Sequence, residues 1–385
     1  MTASYYRILG STFKQILNAP SEQLASMQEM DALVNQVSGT SPLYQGEIIM
    51  EYKPERLWLW QQYSGTILQF NVQTTLLNMG VCALFCIFAR EATGLPFFEE
   101  PNMAVPFVAR LQLVHEVWNY QTALTTFVLT FFVNQSFSFW NEIYMLTRDV
   151  QNHINNFNLV VATHTKRDKK NEYTKEAVQL LEEIGQFSRL YHILLWASKA
   201  KRFQALSTPE GLSRMESRGL MTSRQLKVLE ELTVAPNQLY HAPLEWMVIR
   251  ANQAMDKGVL ADEDAVRSAL LAEVRSMRNS ARDISDKLEG RMPLAYMSSL
   301  SRFWLIPLCS HHISLFPDLG EFSVAAVGIL TLFYTGLNNL AKIFLDPLNN
   351  EEYCENSMFM NLGVLIRETN AVSTLWMKAG KELPF

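Results

Sequence analysis

The side chains whose type and spacing suggest a chemical task lie between Val117 and Asn141, an uncharged stretch that mixes phenylalanines with threonine, asparagine and glutamine. Phe127 and Phe131 are four residues apart, so on a helix they share one face, with Ala123 one turn before them. This pattern is typical of a membrane helix that lines a pore or a cavity. The alternative is a packed helix whose polar side chains bond to neighbouring helices, and the segment alone supports both interpretations equally.

We call Ala123, Phe127 and Phe131 the aromatic ladder. The elements that must position it are not evident from the overall composition, because the 385-residue chain has a net charge of −5 and a mean hydropathy near zero. Four apolar blocks stand out, three without charge and one with a single arginine. Each is long enough to cross a bilayer as a helix. A soluble protein with four buried helices is disfavoured, because core helices of that length rarely lack a charged side. The blocks are Tyr63–Ala89, Val117–Asn141, Met292–Pro317 and Phe322–Ala341.

Lysine and arginine indicate which side of the membrane each connection faces. Lys53 and Arg56 precede the first block, and the region 142–291 includes the basic run Lys166–Lys170. The short turn Asp318–Glu321 between the last two blocks has no positive charge. We therefore expect both termini and the region 142–291 on the cytosolic or stromal side. The pattern does not distinguish a plasma membrane from a thylakoid membrane.

Motifs of covalent catalysis, nucleotide binding and zinc hydrolysis are absent from the sequence, so an enzyme is not expected. The chain has four cysteines and no CxxC pair, which argues against a zinc site and against a disulfide framework. A helix–turn–helix-like pattern breaks at Gly219, but no basic recognition face follows it. Nucleic acid is therefore not an expected partner.

Short motifs along the chain resemble the bestrophin family of pentameric anion channels, from about residue 48 to the C-terminus. The family's neck motif, S-F-V-L-G-F-Y-V, is similar to TFVLTFFV at 126–133, and the W-R-G-S-I that opens its first span to YSGTI at 63–67. Its G-F-M-T and I-P-L-V-Y resemble GLMT at 219–222 and PLAY at 293–296. Its F-Y-V-G and its N-P-F-G-E with following aspartates resemble YTG at 334–336 and DPL at 346–348.

The resemblance implies an all-α integral membrane protein with four transmembrane helices plus cytosolic helices, assembled in membrane lipid as a homopentamer around one central pore. It assigns Ala123, Phe127 and Phe131 to the pore neck, in agreement with the ladder. A second, cytosolic constriction falls on Ala265 or Val266. Apolar rings gate by dewetting, and aromatic edges carry a weakly positive rim. Chloride is therefore the expected ion, together with other small anions such as bicarbonate or nitrate.

The resemblance also implies a calcium clasp, because the family binds this ion with backbone carbonyls and acidic side chains, the oxygen ligands that calcium prefers. The clasp positions are Ile49, Ile343 and Asp346 through backbone oxygens and Glu351 through its carboxylate, with Glu352 beside it. The chain departs from the family at Cys354, which stands where an aspartate ligand is expected and is a poor calcium ligand. Calcium binding and a solvated acidic loop are equal alternatives at this point.

These observations divide the chain into five segments. They also leave three functional interpretations: an anion channel, which we favour, a cation-conducting member of the same fold, and a non-conducting membrane scaffold. The segments are an N-terminal extension at 1–47 with an amphipathic helix and a loop, the first two spans with the neck at 48–141, a cytosolic helical region at 142–291, the last two spans at 292–345, and the clasp-like loop with the C-terminal segment at 346–385.

Overall fold

The computed structural model describes residues 27–40, 47–49, 67–94, 96–99, 101, 105–292, 313–349, 360–381 and 383. In these residues the structure is helical, and the β contacts are two isolated bridges, Thr165 with Leu260 and Arg167 with Tyr173. The helices are α1 Met27–Ser38, α2 Ile67–Thr93, α3 Pro106–His164, α4 Lys175–Lys199, α5 Pro209–Ser217, α6 Ser223–Glu231, α7 His241–Asp256, α8 Asp264–Glu289, α9 Ser323–Phe344 and α10 Leu362–Ala379, with a helical turn at Phe316–Leu319 and 3₁₀ segments at Lys201–Ser207, Pro236–Gln238 and Gly320–Phe322.

Two compact units make up the chain, and each combines segments that are distant in sequence. The first unit comprises residues 1–48, 146–285 and 361–385, and the second comprises residues 49–145 and 286–360. The second unit therefore contains the predicted apolar blocks, and the first contains most of the charged helices. The expected helical region after residue 142 belongs to the first unit together with α1 and α10.

Helices α2 and α9 pack along each other in the second unit. The side-chain amide of Asn339 donates a hydrogen bond of 2.8 Å to Oδ1 of Asn71, and Cys82 and Cys86 are buried beside the hydroxyl of Ser323. The two thiols are thus small packing residues at the contact between these helices, as their spacing in the sequence allowed.

Helix α3 is a single helix of 59 residues, about 90 Å long at 1.5 Å per residue. Proline stands at its first position, where the missing N–H costs nothing, and no glycine or proline interrupts the residues from Phe107 to His164. The helix therefore continues beyond Asn141 without a break, and its residues contribute to both units.

The core of the first unit is built around α4, which contacts α7 and α10. Its large side chains Tyr191 and Trp196 are fully buried. The helix begins after Thr174, whose hydroxyl accepts a hydrogen bond from the backbone N–H of Ala177, as favoured N-cap residues do. Helix α1, the described part of the predicted N-terminal extension, packs on α10.

His192 gives this core a predicted sensitivity to acid. Its Nε2 accepts a hydrogen bond of 2.8 Å from the indole N–H of Trp196, and complete burial lowers its pKa from 6.5 to about 3. Between these two values the unfolded chain binds the proton and the folded chain does not. Stability therefore falls as the pH drops below 6.5, by about 2 kcal/mol between pH 7 and pH 5.

Replacing His192 by glutamine should remove this loss, because glutamine offers an acceptor to Trp196 without a proton to gain. The measurement is the thermal midpoint of the purified protein at pH 7 and pH 5. The exposed His164 serves as the control, since His164→Gln should leave the acid loss unchanged. An equal loss in wild type and His192→Gln would show that another group controls acid stability.

Candidate functional site

The face of α3 that carries the aromatic ladder is exposed on the single chain. The exposed fractions of Phe127 and Phe131 are 73% and 54%, and Ala123 is exposed as well. Leu129 and Phe132, on the other side of the helix, are buried in a cluster with Ala341 and Leu345 at the end of α9. This packing fixes the rotation of α3, so the ladder points away from this cluster.

Thr126, a polar residue of the same segment, has hydrogen-bond partners within the chain. The hydroxyl of Thr126 donates 2.8 Å to the carbonyl oxygen of Thr122 and lies 2.6 Å from the hydroxyl of Tyr334 on α9. Because the single proton of Thr126 is used towards Thr122, Tyr334 is the donor in the second bond. Helix–helix bonding thus accounts for Thr126, whereas the two phenylalanines remain exposed on the single chain.

Exposed polar residues follow the ladder along α3. Asn134, Gln135 and Ser138 are exposed on the single chain, and no charged side chain occurs between Val117 and Asn141. If this face surrounds a channel, an apolar ring is followed by neutral amides and a hydroxyl. Such a lining lets the ion shed part of its water at the ring and regain hydrogen bonds next to it.

The predicted cytosolic constriction lies in the first turn of α8. Ala265 is exposed, but Val266 is buried, with 3% of its surface accessible. Successive residues on a helix point about 100° apart, so the two side chains cannot share one role. Of the pair, Ala265 is the one that could face a pore.

The described part of the predicted clasp follows the end of α9. The carbonyl oxygen of Ile343 accepts a hydrogen bond of 3.2 Å from the backbone N–H of Asp346, and the Asp346 carboxylate lies 3.2 Å from Nη2 of Arg291. Ile49 is partly buried, and Glu351 and Glu352 lie outside the described residues. Among the described side chains, no group of three or more His, Cys, Asp and Glu is placed to hold a metal ion.

These clasp oxygens have the chemistry that calcium requires. Backbone carbonyls are hard oxygen ligands, and each has two lone pairs. The carbonyl oxygen of Ile343 accepts from the backbone N–H groups of both Leu345 and Asp346, so it can hold a calcium ion only when one of these bonds is given up. The guanidinium of Arg291 opposes a cation at the carboxylate of Asp346, whose backbone oxygen is the ligand that the resemblance implies.

An ion-pair network that the sequence analysis missed joins α2 to the start of α9. Arg90 is buried, and its Nε and Nη2 donate 2.5 and 2.9 Å to the two carboxylate oxygens of Glu321. Nη2 also donates 2.6 Å to the carbonyl oxygen of Glu99. The two charged partners are 231 positions apart, and the only hint in the sequence is that each stands at the end of an apolar block.

Two helical segments of the described chain are long and apolar enough to cross a membrane, Asn71–Thr93 and Phe316–Phe344. In their most apolar windows 17% and 39% of the residues are buried, and side chains of the first segment such as Leu84 and Phe88 face outward. The two segments correspond to the first and last predicted spans. The stretch Val117–Asn141 is helical but does not belong to these apolar segments, and most of Met292–Pro317 lies outside the described residues.

A sequence model of the family described as "Bestrophin, RFP-TM, chloride channel" matches residues 105–305, more than half of the chain. The chain belongs to the bestrophin family. The match includes the ladder on α3 and helices α4 to α8. A search of curated proteins found no match.

Solved structures confirm that the fold is that of bestrophins. A bacterial bestrophin homologue from Klebsiella pneumoniae matches with a TM-score of 0.59 at 13% identity, over 80% of this chain and 98% of that one. A variant of the same homologue gives a TM-score of 0.60 at 12% identity, over 79% and 98%. A structure described only as a membrane protein gives 0.58 at 14% identity, over 82% and 99%.

Proposed function

We propose that this bestrophin forms a homopentameric channel for small anions, with chloride as the principal ion and bicarbonate or nitrate as further candidates. The observation that carries the proposal is the exposed pair Phe127 and Phe131 on a helix whose opposite face is buried in the subunit. Five such helices around an axis would make an apolar ring from side chains that are exposed on the single chain. The family description as a chloride channel supports the choice of ion.

The neck would work through the cost of removing water from an ion. Phenylalanine rings offer no hydrogen bonds, so a narrow ring of them empties of water and blocks ions until it widens. Ring edges carry a weakly positive charge that suits an anion. Large anions hold their water less tightly, so iodide and nitrate should pass at least as well as chloride. Ala123 would form the wider end of the neck, and Ala265 would line the cytosolic constriction.

Four membrane spans with both termini on the cytosolic or stromal side complete the proposed arrangement. The exposed apolar side chains of α2 suit contact with lipid tails, because a soluble surface rarely exposes so many. Trp140 and Tyr144 stack with ring centroids 5.8 Å apart near the end of the second predicted span. Aromatic residues of this kind are enriched where a helix leaves the membrane.

Calcium regulation is part of the proposal, with Ile49, Ile343 and Asp346 as carbonyl ligands and Glu351 and Glu352 as the acidic contribution. Bound calcium would supply positive charge that holds these segments together. We expect a calcium chelator to lower the current of the wild-type channel by at least about tenfold. We expect Glu351→Gln with Glu352→Gln to require more calcium for the same current.

The measurement is macroscopic current as a function of free calcium, with Glu230→Gln and Glu231→Gln as the charge-matched control. These two exposed glutamates of α6 lie outside the clasp, so their removal should leave the calcium dependence unchanged. If the chelator does not change the wild-type current, the calcium clasp is excluded and the variants need not be made.

Anion efflux from liposomes separates a channel from a scaffold. Purified protein is reconstituted into liposomes loaded with the potassium salt of chloride, nitrate or iodide, and the release of the anion and of potassium is followed with ion-selective electrodes. We expect release that depends on protein and follows the order of ion hydration. A non-conducting scaffold would release no more anion than liposomes without protein. A cation-conducting bestrophin would release potassium instead.

A further inference from the structure

A polar groove lies within the first unit, between the cytosolic part of α3 and the C-terminal helix α10, and no role in conduction accounts for it. Its volume is about 360 Å³, within the range of about 300–1,000 Å³ found for small-molecule sites. Among the described residues, three cationic side chains and one carboxylate line it, a net charge of +2. The charged residues are Arg148, Arg367, Lys378 and Glu368.

The single carboxylate of the groove is already paired. Oε2 of Glu368 lies 3.0 Å from Nη1 of Arg148 and accepts a hydrogen bond of 3.3 Å from Nε2 of Gln151. Nε of Arg367 donates 3.3 Å to the carbonyl oxygen of Gly363, one turn earlier on α10. That bond orients a planar guanidinium whose fork suits phosphate or carboxylate oxygens.

Neutral side chains of the groove suit the rest of an organic ligand. Oδ1 of Asn155 is buried and has no hydrogen-bond partner among the described residues, so turning this amide towards a ligand hydroxyl breaks no bond that the structure describes at that atom. Ala371 and Leu375 form an apolar wall, which suits contact with the carbon skeleton of an organic ligand and would not favour an inorganic ion. None of the described residues that line the groove is aromatic, so these residues offer no platform for stacking a nucleobase.

We propose that this groove binds a hydroxylated organic anion with at least two negative charges, such as a phosphorylated polyol. Arg367 and Lys378 hold the anionic groups, Asn155 bonds a hydroxyl, and the apolar wall contacts the carbon skeleton. Two sources share this chemistry, a soluble polyol phosphate and the head group of a phosphoinositide. Arg148 is seven residues beyond Asn141, about 10 Å along the helix, which is within reach of a large head group.

Calorimetry on the full chain in nanodiscs tests the site, with inositol trisphosphate as the soluble probe. We expect saturable binding in discs without phosphoinositide. We expect Arg367→Gln with Lys378→Gln to weaken it at least about tenfold, since each lost charge removes a strong hydrogen bond. Asn155→Ala should weaken the trisphosphate while leaving pyrophosphate, which has no hydroxyl on carbon, unchanged. Discs containing phosphatidylinositol bisphosphate then identify the source, because a lipid head group in the groove would exclude the soluble probe.

The charge-matched control is Arg218→Gln with Lys257→Gln, two exposed residues of the same unit that do not line the groove. Absence of saturable binding to wild type would overturn the proposal. An equal loss in the control would also overturn it, because binding would then follow overall charge. Size-exclusion chromatography gives the third outcome: if the Arg367 and Lys378 variant fails to assemble while wild type does, the groove is a subunit contact and not a ligand site.

Discussion

Replacing Phe127 and Phe131 together by alanine is expected to raise the basal current of the channel on the order of tenfold, equivalent to lowering the barrier by ~1.4 kcal/mol. Both side chains are exposed on the single chain, so their loss should leave the subunit folded. The smaller side chains widen the ring and let water fill it, which removes the dewetting barrier. Macroscopic current per assembled channel is the measurement.

A matched control for this experiment is available on α2. Leu84 and Phe88 are also four residues apart, and their exposed fractions are 69% and 59%. Leu84→Ala with Phe88→Ala therefore removes a similar apolar surface from a helix that we assign to lipid contact, and it should leave the current unchanged. Unaltered current in an intact Phe127 and Phe131 variant would remove these residues from the gate.

The second large effect is on stability, and it concerns Gly211→Ala at the start of α5. A Cβ at this position would lie 2.7 Å from Cα of Leu206 and closer still to the carbonyl oxygen of Ala205. Both are backbone atoms, so the preceding 3₁₀ segment would have to move. Overpacking of this kind costs about 3 kcal/mol, and we expect a markedly lower thermal midpoint of the purified protein.

Gly185→Ala in α4 is the matched control, because the nearest atoms to a Cβ there are 3.4 Å away. The contact is close to an ordinary one, and alanine favours a helix over glycine by up to about 1 kcal/mol. This variant should melt close to wild type. Equal midpoints for Gly211→Ala and Gly185→Ala would show that the chain before α5 yields more easily than its packing implies.

The sequence was sufficient to predict a helical bestrophin fold, because its short motifs resemble that family and its apolar blocks are long. The first and last blocks became α2 and the segment ending at Phe344, and the all-helical architecture is that of bestrophins. The end of the second block was harder to predict. Charged residues reappear after Asn141, which suggested that the helix ends there. Because no glycine or proline interrupts the chain at that point, α3 continues to His164.

Parts of the candidate site could not be predicted from the sequence, because they depend on tertiary packing. The spacing of Phe127 and Phe131 showed that they share a face, but only the packing of Leu129 and Phe132 shows that this face turns outward. Resemblance alone could not choose between Ala265 and Val266, whereas burial separates them. A pair such as Arg90 and Glu321 depends on tertiary contact between distant segments and has no local pattern.

The most direct test of an anion-selective pore is the reversal potential of purified protein in a planar bilayer under a potassium chloride gradient. The account predicts a reversal potential close to the chloride equilibrium potential, with the same value before and after the neck is widened by Phe127→Ala and Phe131→Ala. A reversal potential close to that of potassium would contradict it and assign the chain to the cation-conducting alternative.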